Sequence, residues 1–182
     1  TALYASFGSG GGRRDEGSKI GSSDYRIGGA GLQPIDFDKV VEENIANGAA
    51  GSSDIISSSR NSHEWYGLLS TYKNRINDKL TVSGGLDARY YVGSHWYEVD
   101  DLLGGQFFLD NETDTFAFGQ PLKVGDSYNK DYDGVVNRYG LFAQAEYQVS
   151  EKLNVFMAGH ISNSNYKQRE YMNNIIFGSR ES

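Results

Sequence analysis

The stretch Lys79-Leu80-Thr81-Val82-Ser83-Gly84-Gly85-Leu86-Asp87-Ala88-Arg89-Tyr90-Tyr91-Val92 alternates strictly. Leu80, Val82, Gly84, Leu86, Ala88, Tyr90 and Val92 fall on one side, and Thr81, Ser83, Gly85, Asp87, Arg89 and Tyr91 on the other. Successive side chains of a strand point to opposite faces, so a period of two predicts a strand with one apolar and one polar face. Length adds a second clue. Ordinary globular strands run to about 5–6 residues, whereas about 9–11 tilted residues cross a bilayer.

The pattern returns over 135–149, where Tyr139, Leu141, Ala143, Ala145, Tyr147 and Val149 share a face and Arg138, Gly140, Gln144, Glu146 and Gln148 share the other, with Phe142 as the exception. Leu153, Val155, Met157, Gly159 and Ile161 continue an apolar series opposite Asn154, His160 and Ser162, and predict a strand over 153–166. Residues 63–74 form another long strand whose register is open, because Leu68 and Leu69 are both apolar. Residues 1–7 read as the tail of one more, and the chain opens inside it as if cut from something longer, with no signal peptide ahead. Two joins are hairpin-short, Arg75-Ile76-Asn77-Asp78 and Ser150-Glu151-Lys152, and two are long, 8–61 and 93–133. Regular alternation of short turns and long loops is the habit of an outer-membrane barrel.

Composition agrees without deciding. Hydrophobic residues make up only 38% of the 182, with 23 Gly, 13 Tyr, 9 Phe and 2 Pro. No run approaches the ~20 apolar residues of a spanning helix. A spanning barrel alternates apolar-out with polar-in and so looks soluble on average. Composition alone leaves a secreted β protein and an outer-membrane barrel. The absence of cysteine excludes a disulfide scaffold and Cys-ligated metal sites. A net charge of −7 speaks against nucleic-acid binding.

Within the long joins, 36–47 predicts a short amphipathic helix with Asp36 as cap, Gly48 as stop and Phe37, Val40, Val41 and Ile45 on one face. The Ser-rich run 51–59 reads as a mobile segment, and Gly8-Ser9-Gly10-Gly11-Gly12-Arg13-Arg14 as a flexible loop. The latter lacks the Gly-Lys-Ser/Thr ending of a phosphate loop. His95-Trp96-Tyr97 suits either an aromatic girdle at a membrane surface or a cluster pinning the loop. Residues 93–133 hold nine acids against two bases, Lys123 and Lys130, which accounts for the whole net charge. That excess is read as a solvated face, with Ca²⁺ binding or attraction of a cationic ligand as the sharper alternative. Asp110-Asn111-Glu112-Thr113-Asp114 lacks the Gly and Glu of an EF-hand and reads as a turn. No HExxH pairing of His63, His95 or His160, no GxSxG elbow and no nucleophile–base pair occurs, so an enzyme is not expected, nor a cofactor or a metal centre.

The runs His63-Glu64-Trp65-Tyr66-Gly67-Leu68-Leu69-Ser70, Gly85-Leu86-Asp87-Ala88-Arg89-Tyr90-Tyr91 and Gly93-Ser94-His95-Trp96-Tyr97-Glu98-Val99 resemble the barrels of TonB-dependent receptors of the Bacteroidetes type, as does Leu3-Tyr4-Ala5-Ser6-Phe7-Gly8 running into a Gly-rich loop. The resemblance implies an all-β chain: about five antiparallel transmembrane strands from a barrel of about 22, with long extracellular loops. It further implies a parent with a plug and a TonB-contacting segment, both absent from this stretch, and no aromatic-ending last strand at Arg180-Glu181-Ser182. The implied function is import across the bacterial outer membrane, driven through the TonB complex, of a scarce ligand such as a siderophore, cobalamin or oligosaccharide. A piece of about five strands is too small to close, since even small barrels need about eight, and should not transport alone. Arg13, Arg14, Trp96, Tyr97 and Tyr128 are the expected ligand contacts, and Asp87, Arg89, Gln144, Glu146 and Gln148 the expected polar lining of the lumen. The alternatives are a passive porin-like barrel and a secreted β-sandwich binding module such as a lectin or adhesin domain.

Overall fold

The computed structural model describes residues 1–29, 31–111 and 118–171. The chain is all-β and mostly antiparallel. Its elements are β1 (Ala2–Glu16), α1 (Phe37–Asn47), β2 (Ile55–Arg75), β3 (Leu80–Asp101), β4 (Phe108–Leu109), β5 (Pro121–Leu122), β6 (Ser127–Ser150) and β7 (Leu153–Glu170). The long strands make one sheet in the order β1-β2-β3-β6-β7, and β4 pairs with β5 separately. The described strands form an open sheet, with β1 and β7 as its edges. Two compact units divide the chain.

The first unit comprises Thr1–Gly8, His63–Gly93 and Gly134–Gln168. Its turns are built by polar side chains. Asn77 Oδ1 accepts the Lys79 and Leu80 amides at 2.9 Å each, turning the chain between β2 and β3. The Lys152 amide donates to Ser150 Oγ between β6 and β7. Thr1 Oγ1 meets Ser70 Oγ at 2.7 Å, and the Tyr4 ring covers Gly67, which fixes β1 against β2.

With that register, the apolar series of neighbouring strands adjoin. Leu3, Ala5, Tyr66, Leu68, Ala88, Tyr90 and Tyr139 line one shallow groove of about 580 Å³. Leu68 therefore belongs to the apolar face, and alternation sends Leu69 to the other. The apolar side chains stay uncovered: Leu141 is 59% exposed, Ile161 72% and Met157 75%. The opposite face holds Tyr4, Trp65, Tyr91 and His63 in edge and stacked contacts. Phe142, the exception in its alternation, lies over Gly85, where any Cβ would meet its ring. A glycine opposite an aromatic lets the ring lie flat on the ladder.

The second unit comprises Ser9–Ser62, Ser94–Asp133 and Arg169–Ser182. It has a buried interior in two clusters. Ile55, Val99, Leu122 and Tyr128 form one, and Ile20, Val40 and Leu103 the other. Asn44 on α1 joins the long connections. Its Nδ2 donates to the Asp54, Leu102 and Leu103 carbonyls at 2.8, 3.3 and 3.1 Å, while its Oδ1 accepts from the Ser53 amide and hydroxyl. Asp36 caps α1 by accepting the Lys39 amide, and Gly48 ends it at φ 52°. The buried stripe of α1 is Val40 and Asn44, whereas Phe37 and Ile45 are exposed. The expected four-residue apolar face is thus only partly used, because a buried Asn that satisfies three carbonyls takes its place.

Three expectations from sequence are corrected. The strands outrun their apolar alternation: β1 continues to Glu16, β2 begins at Ile55, β3 continues to Asp101, and β6 begins at Ser127. The segments 8–61 and 93–133 are therefore not loops throughout. Backbone pairing needs no apolar side chain, so a ladder extends wherever polar groups find partners across it. The glycine-rich run at 8–14 is strand, not flexible loop, and at Gly11 the Ser59 carbonyl stands where a Cβ would be. The serine-rich run is packed and partly in strand β2. Ser57 and Ser58 are buried, and Ser52 Oγ donates to the Leu102 carbonyl at 2.6 Å. The readings placed on 112–114 and 180–182 lie outside the described residues.

Candidate functional site

Asp100 organises the polar side of the second unit. Its side chain is 4% exposed, and it accepts Arg13 Nε and Ser58 Oγ at Oδ2 (2.8 and 2.6 Å) and Arg60 Nη2 at Oδ1 (2.9 Å). One carboxylate thus clips β1, β2 and β3 together. Burial pushes the Asp100 carboxyl up. The Ser58 and Arg13 hydrogen bonds and the Arg60 and Arg13 charges outweigh it, leaving its pKa below the ordinary carboxylate value. Arg60 Nη2 also reaches Glu98 Oε1 at 3.5 Å, and Glu98 Oε2 accepts Trp96 Nε1 at 3.0 Å. Beside this cluster opens a cavity of about 530 Å³ lined by Ser9, Gly10, Gly11, Arg13, Ser58, Arg60, Asn61, Trp96 and Glu98.

Adjacent residues of a strand face opposite ways, so Arg14 and Tyr97 leave that cavity. Arg14 donates to Ser57 Oγ at 3.3 Å and pairs with Glu16, while its guanidinium lies 4.2 Å from the Tyr97 ring centre. Tyr128 donates to Glu16 Oε2 at 3.1 Å and packs against Tyr97 and Phe108. It is 2% exposed, and burial raises its hydroxyl pKa above the usual tyrosine value. Of the five expected ligand contacts, Arg13 and Trp96 line the cavity. Arg14, Tyr97 and Tyr128 form a packed cluster instead, with Tyr128 sealed in the core.

No family model matches this chain, and neither does any curated protein or any solved structure. The site is therefore read from its own geometry.

Among the expected lumen residues, Asp87 and Arg89 meet at 3.4 Å, and His160 Nε2 lies 4.0 Å from the other Asp87 oxygen. Gly140 leaves the space that Asp87 occupies. Gln144, Glu146 and Gln148 are exposed. Several acids of 93–133 serve local structure. Asp101 accepts the Leu103 amide and Asp126 the Lys123 amide. Asp131 is pushed up by burial and by the charge of Asp133. Among the described residues no three metal-ligating side chains converge, and Glu112 and Asp114 lie outside them. Reading by type missed Arg60, Ser58, Asp100 and His160. A signal existed for Arg60: the short turn at 76–79 pins β2 against β3, and counting back along both strands brings Arg60 to the glutamate-bearing end of β3.

Proposed function

We propose that this chain is part of the barrel of an outer-membrane active-transport receptor of the TonB-dependent kind, with its apolar face toward lipid. Its extracellular segments capture a scarce ligand such as a siderophore, cobalamin or oligosaccharide. A plug and a TonB-contacting segment elsewhere in the parent receptor couple import to inner-membrane energy, with no covalent chemistry. The observation that carries the reading is the uncovered apolar face. Within the first unit five strands lie side by side, and β3, β6 and β7 alone leave Leu86, Tyr139, Leu141, Val155, Met157 and Ile161 uncovered, with Leu3 of β1 and Tyr66 of β2 also exposed. Leaving so many contiguous apolar side chains in water is costly at about 25 cal/mol per Å², and monomeric soluble proteins rarely expose so large a patch. A β-sandwich would cover that face with a second sheet; β4 and β5, the one other pairing of strands described, belong to the second unit.

The test uses cells expressing the complete receptor. Accumulation of radiolabelled ferric siderophore, cobalamin or maltooligosaccharide should stop when a protonophore collapses the inner-membrane gradient. Uptake that continues unchanged would identify a passive pore.

A further inference from the structure

We propose that the cavity beside Asp100 is an oxyanion site that takes a phosphate-type group. Hydrogen-bond accounting carries this. Arg60 uses Nη2 on Asp100 and Glu98, which leaves its Nη1 group. Arg13 uses Nε on Asp100, which leaves its two Nη groups on a side chain that is 77% exposed. The acceptors are already engaged: Glu98 by Trp96 and Arg60, and Asp100 by Ser58, Arg13 and Arg60. What the cavity offers is a surplus of N–H donors, and the ligand that completes it is rich in acceptors. Two guanidinium forks held side by side by one buried carboxylate match a tetrahedral oxyanion. Glu98 in the lining opposes a second negative charge, so the site suits one anionic group on a larger molecule.

Asp100 thereby becomes a positioning residue. Without it the two like-charged guanidinium groups repel, Arg13 loses its anchor, and Arg60 keeps only its longer contact to Glu98. The inference stands on this cavity alone. The receptor reading enters only for the source of the anion, which is either a phosphorylated lipid or a soluble ligand.

The experiment follows the arginine Nε–H signals by nitrogen–proton NMR, with the complete receptor, isotope-labelled at arginine alone, in a neutral polyoxyethylene detergent. Inorganic phosphate should shift the Arg13 and Arg60 signals, while equal chloride or maltose should leave them in place. Arg13→Gln, at an exposed position, should weaken phosphate binding about tenfold or more, as expected for a lost charged hydrogen bond. Arg60→Gln should do the same. Doping the micelles with phosphatidic acid and, separately, with diacylglycerol separates the sources. Shifts with phosphatidic acid at far lower concentration than with free phosphate assign the site to lipid, and equal potency assigns it to a soluble ligand. No shift with either phosphate source, an equal shift with maltose, or full binding by Arg13→Gln overturns the proposal. Energised uptake is measured independently, so each reading can fail without the other.

Discussion

At the scale of single residues, Asp100 ties charge to stability. Its folded pKa lies below the ordinary value, so its contribution is complete above about pH 4, the unfolded value, and is lost as pH falls through the lower folded value. Asp100→Asn keeps the shape and removes the charge. It is expected to cost about 2–3 kcal/mol at neutral pH and to flatten the acid limb of stability. Denaturant unfolding followed by tryptophan fluorescence from pH 7 to pH 2 checks this, and an acid limb unchanged in the variant would assign it elsewhere. Residue type singled out Arg13 and Trp96, which line the cavity, because a charged or large aromatic side chain in a glycine-rich or polar stretch invites a surface role. It misled at Tyr128, whose burial depends on Ile55, Val99 and Leu122, partners that no local pattern reveals.

At the scale of elements, periodicity and caps were the readable part. The ends of α1 were legible because Asp36 and Gly48 carry the capping chemistry themselves. The cores of β3, β6 and β7 were legible because one face is apolar throughout. The strand extensions were not. Beyond Val92 and before Val135 the pairing is carried by ion pairs, serine hydroxyls and aromatic contacts, none of which has a period. Asn44 shows the same limit: one polar residue on a helix holds segments 10 and about 60 positions away. Asn44→Ala strands three carbonyls and the Ser53 amide, and is expected to destabilise the second unit by about 2–4 kcal/mol. Native-state hydrogen exchange reads this directly. The Ser53 amide should lose protection, and unchanged protection there would mean that Asn44 does not hold the connections.

At the scale of the whole molecule, everything turns on the surroundings of the apolar face. The alternating sequence foretold that face, and the sheet aligns it across five strands, but whether lipid covers it is a question of environment that neither pattern nor geometry contains. The chain has no cysteine, so a single introduced thiol can be spin-labelled uniquely. Leu141 and Gln144 are both exposed, on opposite faces of β6, and make a matched pair. With the complete receptor in lipid vesicles, a label at 141 should relax with dissolved oxygen and resist a water-soluble nickel chelate, while a label at 144 should do the reverse. Chelate access at 141 equal to that at 144, or a label at 141 shielded from both reagents, would contradict a lipid-facing sheet.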